Sequence, residues 1–149
     1  MDKPQVLLVD DNVETCTLVT ALLRRDFRVE TAFDGREAIE QLKSKTYAAI
    51  LLDLRMPQVD GFGVLDHLRS HNPAAIRSVI VLTAALSKNE VSRVAGYEVC
   101  AVVAKPFDIE ALLAVVKQCA RPGGGMTNVR LLSSGVILLL ADLLQQRLL

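Results

Sequence analysis

Four short runs of apolar residues, separated by segments of helical periodicity, constrain the fold of this chain more than any other feature. The runs lie at 5–9, 48–52, 78–82 and 99–103 and are rich in Val, Ile, Leu and Ala. Such runs are typical of strands that are covered on both faces in a parallel sheet. A further segment alternates Phe27, Val29 and Thr31 with charged residues. This alternation predicts a partly exposed edge strand.

Between these runs the apolar residues recur with the period of an α-helix. The helical segments lie near 13–23, 38–42, 64–68, 89–95 and 109–116. Strand and helix therefore alternate five times along the chain. This order predicts an α/β fold with an open, doubly wound, five-stranded parallel sheet and helices on both faces.

Composition and charge limit the possible partners. The chain has 149 residues, which suits one domain with an appendage, and its 51% of apolar residues are sufficient for a core. The 17 basic and 17 acidic residues balance. No global field therefore attracts nucleic acid or an anionic membrane, and we expect no nucleic-acid partner.

The cysteines and the N-terminal residues suggest a compartment. Cys16, Cys100 and Cys119 are odd in number, lack C-x-x-C spacing and lie in apolar contexts. We interpret them as buried free thiols in a reducing compartment. The segment "MDKPQ" has no signal-sequence character. The expected location is therefore cytoplasmic.

Polar side chains stand where the predicted strands end: Asp10 and Asp11, Asp53, Thr83 and Lys105. Ligands of open α/β sheets bind at the carboxyl ends of the strands, near the point where strand order reverses. Each of these residues also has a purely structural interpretation. An aspartate there can cap a helix or form a turn, a threonine suits a strand, and a lysine suits the surface.

Electrostatics favours a functional interpretation of the set. Two carboxylates at about 4 Å repel by roughly 4 kcal/mol at an effective dielectric near 20, so three in one cleft take up protons or bind a cation. An acidic pocket of oxygen ligands suits Mg²⁺. Beside such a metal, Asp53 could act as a nucleophile that forms an aspartyl-phosphate, with Lys105 and Thr83 contacting the phosphoryl oxygens.

Four motifs carry a family resemblance. "LLVDDN", "LLDLRMPQVDG", "VIVLTA" and "AKPF" occur in this order, and over about residues 4–120 the chain resembles the receiver domain of two-component response regulators. The resemblance implies a flavodoxin-like sheet with strand order 2-1-3-4-5. It also implies a response regulator that takes a phosphoryl group on Asp53 from a sensor histidine kinase or phosphotransfer protein. Such a domain is not an enzyme beyond its own phosphorylation and dephosphorylation.

The resemblance also implies individual roles at the site. Asp11 and the backbone carbonyl of Arg55 would bind Mg²⁺ directly together with Asp53, and Asp10 would reach the metal through water. Thr83 would be the switch hydroxyl, and Lys105 the phosphate-binding lysine before a cis peptide bond to Pro106. One position departs from the family pattern, because Val102 stands where an aromatic residue is usual.

The C-terminal part differs in composition from the rest. We divide the chain into a receiver domain at 1–120, a Gly-rich linker at 121–128 and an apolar C-terminal helix or tail at 129–149. A membrane span is not expected, since only 135–141 is uninterrupted apolar sequence. The tail could pack against a partner or a second copy, fold back on its own domain, be disordered or lie on a membrane surface. Output would pass to an effector protein, or to a homodimer formed through the tail or through the face of the fourth helix, fifth strand and fifth helix.

Three alternatives belong to other classes. A haloacid dehalogenase-like phosphatase also forms an aspartyl-phosphate, but it needs a second Asp two residues after the nucleophile, where this chain has Arg55. A nucleotide-binding module lacks its G-x-x-x-x-G-K-[ST] motif here. A receiver that serves as a phosphorylation-independent scaffold is the third alternative, and the complete acidic set argues against it.

Overall fold

Strands and helices alternate along the chain in the computed structural model, which describes residues 2–84, 87–122 and 137–138. The strands are β1 (Gln5–Val9), β2 (Arg28–Ala32), β3 (Ala49–Asp53), β4 (Val79–Thr83), β5 (Ala101–Ala104) and β6 (Ile137–Leu138). The helices are α1 (Val13–Leu23), α2 (Gly35–Ser44), α3 (Gly61–His71), α4 (Lys88–Ala95) and α5 (Ile109–Cys119). A 3₁₀ segment at Pro73–Ser78, which the sequence pattern did not predict, leads into β4.

The first five strands form a parallel sheet in the order β2-β1-β3-β4-β5. This confirms the predicted doubly wound fold and places β2 at the edge. The short strand β6 adds to the other side of the sheet, antiparallel to β5, with Val103 opposite Ile137. Because β5 would otherwise end the sheet with unpaired backbone groups, it offers a template for such a strand.

Helices cover both faces of the sheet. Leu7 and Val9 of β1 pack with residues of α2, α3 and α4 in one apolar cluster. Val6 and Leu8, which alternate with them, pack with residues of α1 and α5 in a second cluster. Successive residues of a strand point to opposite faces, so a strand that is buried on both sides needs an uninterrupted apolar run.

Each helix begins at a side chain that accepts a hydrogen bond from a backbone N–H of the first turn. The N-caps are Asn12, Asp34, Asp60, Ser87 and Asp108. At α1 the cap is Asn12, whose Oδ1 accepts from Thr15 N–H at 2.9 Å. The capping interpretation of Asp10 and Asp11 is therefore wrong, since the next residue takes that role.

Two of the three cysteines are not free thiols. Cys100 and Cys119 form a disulfide with a Cα–Cα separation of 6.1 Å, while Cys16 is free and buried. The pairing arises because α5 packs back along β5, which brings the end of the helix beside the start of the strand. The interpretation of all three as free thiols is therefore wrong, and the expectation of a reducing compartment loses that support.

Most of the predicted linker and tail lies outside the described residues. Within 121–149 the structure describes Arg121, Pro122 and the strand β6. Ile137 and Leu138, within the segment described above as an apolar C-terminal helix or tail, are extended and paired with β5. Among the described segments, no helix has the length and apolar character that crossing a membrane requires.

Candidate functional site

The carboxyl ends of four parallel strands bring polar side chains to one edge of the sheet. Asp10 follows β1, Asp53 and Thr83 end β3 and β4, and Lys105 follows β5. Within the described ranges, the buried polar or charged side chains are Asp10 (0% exposed), Asp53 (7%) and Thr83 (1%). All three lie at this edge, where the sequence placed a ligand site.

Three carboxylates converge there. One oxygen from each of Asp10, Asp11 and Asp53 lies within 4.8 Å of the others. Asp11 is exposed, while the other two are buried. The cluster therefore opens to solvent on the Asp11 side, and its all-oxygen donor set suits a hard divalent cation.

Lys105 is the positive charge of the site. Its ammonium lies 2.8 Å from Asp10 Oδ2 and 3.5 Å from Asp53 Oδ2. The Lys105–Pro106 peptide bond is cis, as the family resemblance implied, and the Lys105 N–H donates to Thr83 O at 2.7 Å. Burial alone would lower the pKa of Lys105, but the hydrogen bond to Asp10 and the charge of Asp53 outweigh it and raise that pKa. The lysine is therefore a firmly held cation.

The positive charge of Lys105 does not fully compensate for the burial of the Asp53 carboxylate. Burial raises the pKa of its carboxyl above the ordinary value, and the charge of Asp10 adds to this effect. The Arg55 N–H, which donates to Asp53 Oδ1 at 3.0 Å, and the Lys105 ammonium offset the rise only in part. A second cation would relieve the remaining repulsion, so the residues present fit a bound metal.

Contacts behind the cluster fix Asp10 in place. Its Oδ1 accepts from Asn12 N–H at 2.9 Å, and its backbone carbonyl accepts from the Cys16 thiol at 3.3 Å. Burial and the neighbouring Asp10 charge raise the pKa of Cys16 to about 11. Cys16 is therefore a neutral packing residue and not a nucleophile.

Two residues near the site, Glu90 and Asn12, were not identified from the sequence. The Arg55 side chain reaches α4, where its Nη2 lies 3.1 Å from Glu90 Oε1. The one sequence signal that could have drawn attention to Glu90 is the capping-box spacing from Ser87 to Glu90. Asn12, the cap of α1, was overlooked because two aspartates precede it.

Val102, at the position that is usually aromatic in the family, is 1% exposed and packs with the cluster that includes α3 and α4. Tyr97, an aromatic residue five positions earlier in the sequence, does not take its place. The Tyr97 hydroxyl donates to Asp66 of α3, and the Arg69 guanidinium lies 4.6 Å from the centre of its ring. These contacts hold Tyr97 against α3, so it is not a substitute for the missing aromatic side chain.

Comparison with known proteins gives a consistent picture. Residues 6–117 match the response regulator receiver domain family. A transcriptional regulatory protein CpxR homolog of Haemophilus influenzae is 33% identical over 136 residues, which are 87% of this chain and 57% of that protein. The chain thus spans just over half of this relative, and about a quarter of some longer curated relatives.

Solved structures agree. The receiver domain of a Pseudomonas aeruginosa sensor histidine kinase, which has a magnesium ion coordinated in its active site cleft, is 28% identical with a TM-score of 0.71. That alignment covers 79% of this chain and 98% of the other. Chemotaxis protein CheY4 of Vibrio cholerae is 27% identical with a TM-score of 0.72, covering 78% of this chain and 98% of the other.

These matches do not favour the haloacid dehalogenase-like alternative. Where such a phosphatase needs its second acid, Arg55 directs its side chain to Glu90. The sheet order, the acidic cluster with its lysine and the sequence match over 6–117 lead to one conclusion. The chain belongs to the receiver domain family of two-component response regulators.

Proposed function

We propose that this receiver is a phosphorylation-dependent switch with Asp53 as its phosphoacceptor. The observation that carries the proposal is the meeting of Asp10, Asp11 and Asp53 within 4.8 Å, with the Lys105 ammonium against two of them. A phosphohistidine on a sensor histidine kinase or phosphotransfer protein would supply the phosphoryl group.

The transfer is a nucleophilic displacement at phosphorus. A carboxylate oxygen of Asp53 forms the new O–P bond while the P–N bond of the phosphohistidine breaks, and the electron pair of that bond stays on the imidazole nitrogen. The Lys105 ammonium neutralises charge that develops on the phosphoryl oxygens. The Thr83 hydroxyl, at the end of the neighbouring strand, would donate a hydrogen bond to one of them.

We further propose Mg²⁺ as the cofactor. Asp11, Asp53 and the backbone carbonyl of Arg55 would hold it directly, with Asp10 acting through water. When bound, the metal would neutralise phosphoryl charge and orient the incoming group. The upward pKa shift that burial gives Asp53 supports this assignment, because a nearby cation would favour the ionised nucleophile.

Phosphorylation by acetyl phosphate tests the proposal. With Mg²⁺ present, we expect the intact mass of the chain to rise by one phosphoryl group, and peptide mapping to place that group on Asp53. Asp53→Asn should abolish the incorporation, because an amide is not a nucleophile at phosphorus. Asp34→Asn is a matched control, because Asp34 caps α2 and an asparagine at this position can cap the helix equally well. Continued labelling of Asp53→Asn at the wild-type level would contradict the site assignment.

Output through protein contacts is the proposed second half of the function. We propose that phosphorylation changes the affinity of the receiver for an effector protein or for a second copy, through the tail or through the face of α4, β5 and α5. The oligomeric state measured by light scattering, with and without beryllofluoride, tests the homodimer. Several curated relatives are named as transcriptional regulatory proteins and are longer, so DNA binding is not assigned to the described residues.

We propose a cytoplasmic location, where a histidine kinase could reach the site. The Cys100–Cys119 disulfide is the observation that stands against it, because reducing compartments keep thiols reduced. Acid quenching of the cells, followed by alkylation under denaturing conditions because all three cysteines are buried, decides the point. Three alkylated cysteines would support the location, while a protected Cys100–Cys119 pair would contradict it.

A further inference from the structure

An ion pair joins the candidate phosphorylation site to the start of α4. Arg55 lies two residues after Asp53, and its Nη2 is 3.1 Å from Oε1 of Glu90. The side chains are 60% and 24% exposed, respectively. The pair therefore spans the gap between the segment that follows β3 and the first turn of α4, at the rim of the acidic cluster.

Glu90 also takes part in the cap of α4. The Ser87 Oγ accepts a hydrogen bond from the Glu90 N–H at 3.2 Å, and its hydroxyl donates to Glu90 Oε1, also at 3.2 Å. The same carboxylate oxygen thus contacts both the N-cap of α4 and the Arg55 guanidinium. Any change in the position of Arg55 acts directly on the beginning of this helix.

A phosphoryl group on Asp53 would compete for the Arg55 side chain. The Arg55 N–H already donates to Asp53 Oδ1 at 3.0 Å, so its backbone adjoins the acceptor carboxylate. A phosphorylated side chain carries a charge of about −1.5 to −2 near neutral pH and offers several acceptor oxygens, against the single charge of a glutamate. Guanidinium groups bind phosphate through two parallel hydrogen bonds.

The ion pair is weak enough to exchange. Exposed ion pairs contribute about 0.2–1 kcal/mol, so a stronger nearby anion can displace Glu90.

The aromatic side chain that usually transmits the signal from the site to α4 in this family is missing here, since Val102 is aliphatic and buried and Tyr97 is held by Asp66. Arg93, whose guanidinium lies 3.8 Å from the centre of the Phe62 ring, ties the last turn of α4 to α3. Release of Glu90 would therefore move the first turn of the helix more than its last.

We propose that Arg55 is an exchangeable latch, which holds Glu90 and the start of α4 while Asp53 is unmodified and transfers to the phosphoryl oxygens when Asp53 is phosphorylated. This inference rests on the proposed function of Asp53. It assigns to the Arg55 side chain a role in signal transmission that is separate from the metal-binding role of its backbone carbonyl.

Beryllofluoride with Mg²⁺, as a mimic of the phosphoryl group, tests the latch by NMR on the full chain. Glu90→Gln removes the competing charge yet keeps a capping-box side chain at this position. Beryllofluoride affinity should then rise by about two- to five-fold, the equivalent of an exposed ion pair. Arg55→Gln should lower the affinity and reduce the beryllofluoride-induced shifts of the Ser87 and Glu90 amides. In the Arg55→Gln background, Glu90→Gln should have no further effect.

Glu40→Gln serves as the matched control, because Glu40 forms a comparable exposed ion pair with Lys43 on α2, at 2.9 Å. We expect it to leave the affinity unchanged. If wild type binds beryllofluoride but Glu90→Gln has no effect, or has the same effect with and without Arg55, the latch is wrong while the phosphoacceptor function stands. If wild type with Mg²⁺ does not bind beryllofluoride at Asp53, the proposed function itself fails.

Discussion

At the scale of single residues, Asp53 combines two demands that oppose each other. It is 7% exposed, which disfavours the charged carboxylate, yet its proposed role as a nucleophile requires that carboxylate to be ionised. Lys105 contacts Asp10 more closely than it contacts Asp53, at 2.8 Å against 3.5 Å. Asp53 thus keeps a raised pKa in the metal-free protein, and an added cation would favour the ionised form that the proposed phosphoacceptor needs.

The raised pKa of Asp53 predicts a pH dependence of stability. Because the folded protein holds this proton more tightly than the unfolded chain does, the group stabilises the fold below the ordinary aspartate pKa. That contribution is lost as the pH rises through the raised value. As the pH rises from the ordinary aspartate pKa through the raised value, the metal-free wild type should lose unfolding free energy relative to Asp53→Asn.

Urea unfolding in the presence of a chelator, at a series of pH values, measures this difference. Adding Mg²⁺ should reverse the trend in the wild type, because a bound metal favours the ionised carboxylate. A difference between the two proteins that stays constant with pH would show that burial does not control this group.

Asp11 and Asn12 are neighbours with different predicted roles. Asp11 is exposed, and Asn12 caps α1. Asp11→Ala should weaken Mg²⁺ binding by about ten-fold or more while changing the unfolding free energy by less than about 0.5 kcal/mol. Asn12→Ala should do the reverse, costing about 1 kcal/mol of stability with little change in metal affinity.

Calorimetric titration with Mg²⁺ and urea unfolding, applied to both variants, separate the two roles. Equal Mg²⁺ affinity in Asp11→Ala and wild type would remove Asp11 from the metal site.

At the scale of elements, the close approach of α3 to β3 positions Asp53, the proposed phosphoacceptor. A Cβ on Gly61, the first residue of α3, would lie 2.5 Å from Asp53 O and 2.7 Å from Leu54 Cα. Both atoms belong to the backbone and cannot rotate away. The absence of a side chain at Gly61 therefore allows the helix to begin directly against the end of the strand that carries Asp53.

Gly61→Ala should consequently destabilise the protein by about 1–3 kcal/mol and slow its phosphorylation by acetyl phosphate. Gly96→Ala is the matched control, because its Cβ would come no closer than 3.4 Å to another atom. Urea unfolding and the initial rate of phosphate incorporation check both variants. Wild-type behaviour of Gly61→Ala would mean that the helix can shift without disturbing Asp53.

The elements themselves were largely predictable, because apolar periodicity reports burial. The apolar run at 5–9 became the interior strand β1, and the alternating segment at 27–31 became the edge strand β2. In the helical segments near 13–23 and 109–116, the apolar period did not predict burial at the first residues, since Val13 and Ile109 are 63% and 45% exposed. A first-turn residue can lie beyond the edge of the sheet, and periodicity alone does not show where that edge is.

At the scale of the whole molecule, the residues of the candidate site could be predicted from the sequence, but the contacts around them could not. The rule that ligands bind at the carboxyl ends of parallel strands, with the strand order that the family resemblance implied, sufficed to bring Asp10, Asp53 and Lys105 together. The disulfide, the Arg55–Glu90 ion pair and the pairing of β6 with β5 join residues that are far apart in sequence or carry no distinctive spacing. Such contacts depend on how the helices and strands pack against one another. Local hydrophobic periodicity and motif spacing do not predict that packing.

The central claim is that acid, hydroxyl and amine groups surround one spot for Mg²⁺ and a phosphoryl group. A crystal structure of the full chain with Mg²⁺ and beryllofluoride tests it most directly. We predict beryllofluoride on a carboxylate oxygen of Asp53, in contact with Thr83 and Lys105, and a metal held by Asp11, Asp53 and the Arg55 carbonyl. Beryllofluoride or metal bound elsewhere, with Asp53 left unmodified in a crystal that contains both, would contradict the account.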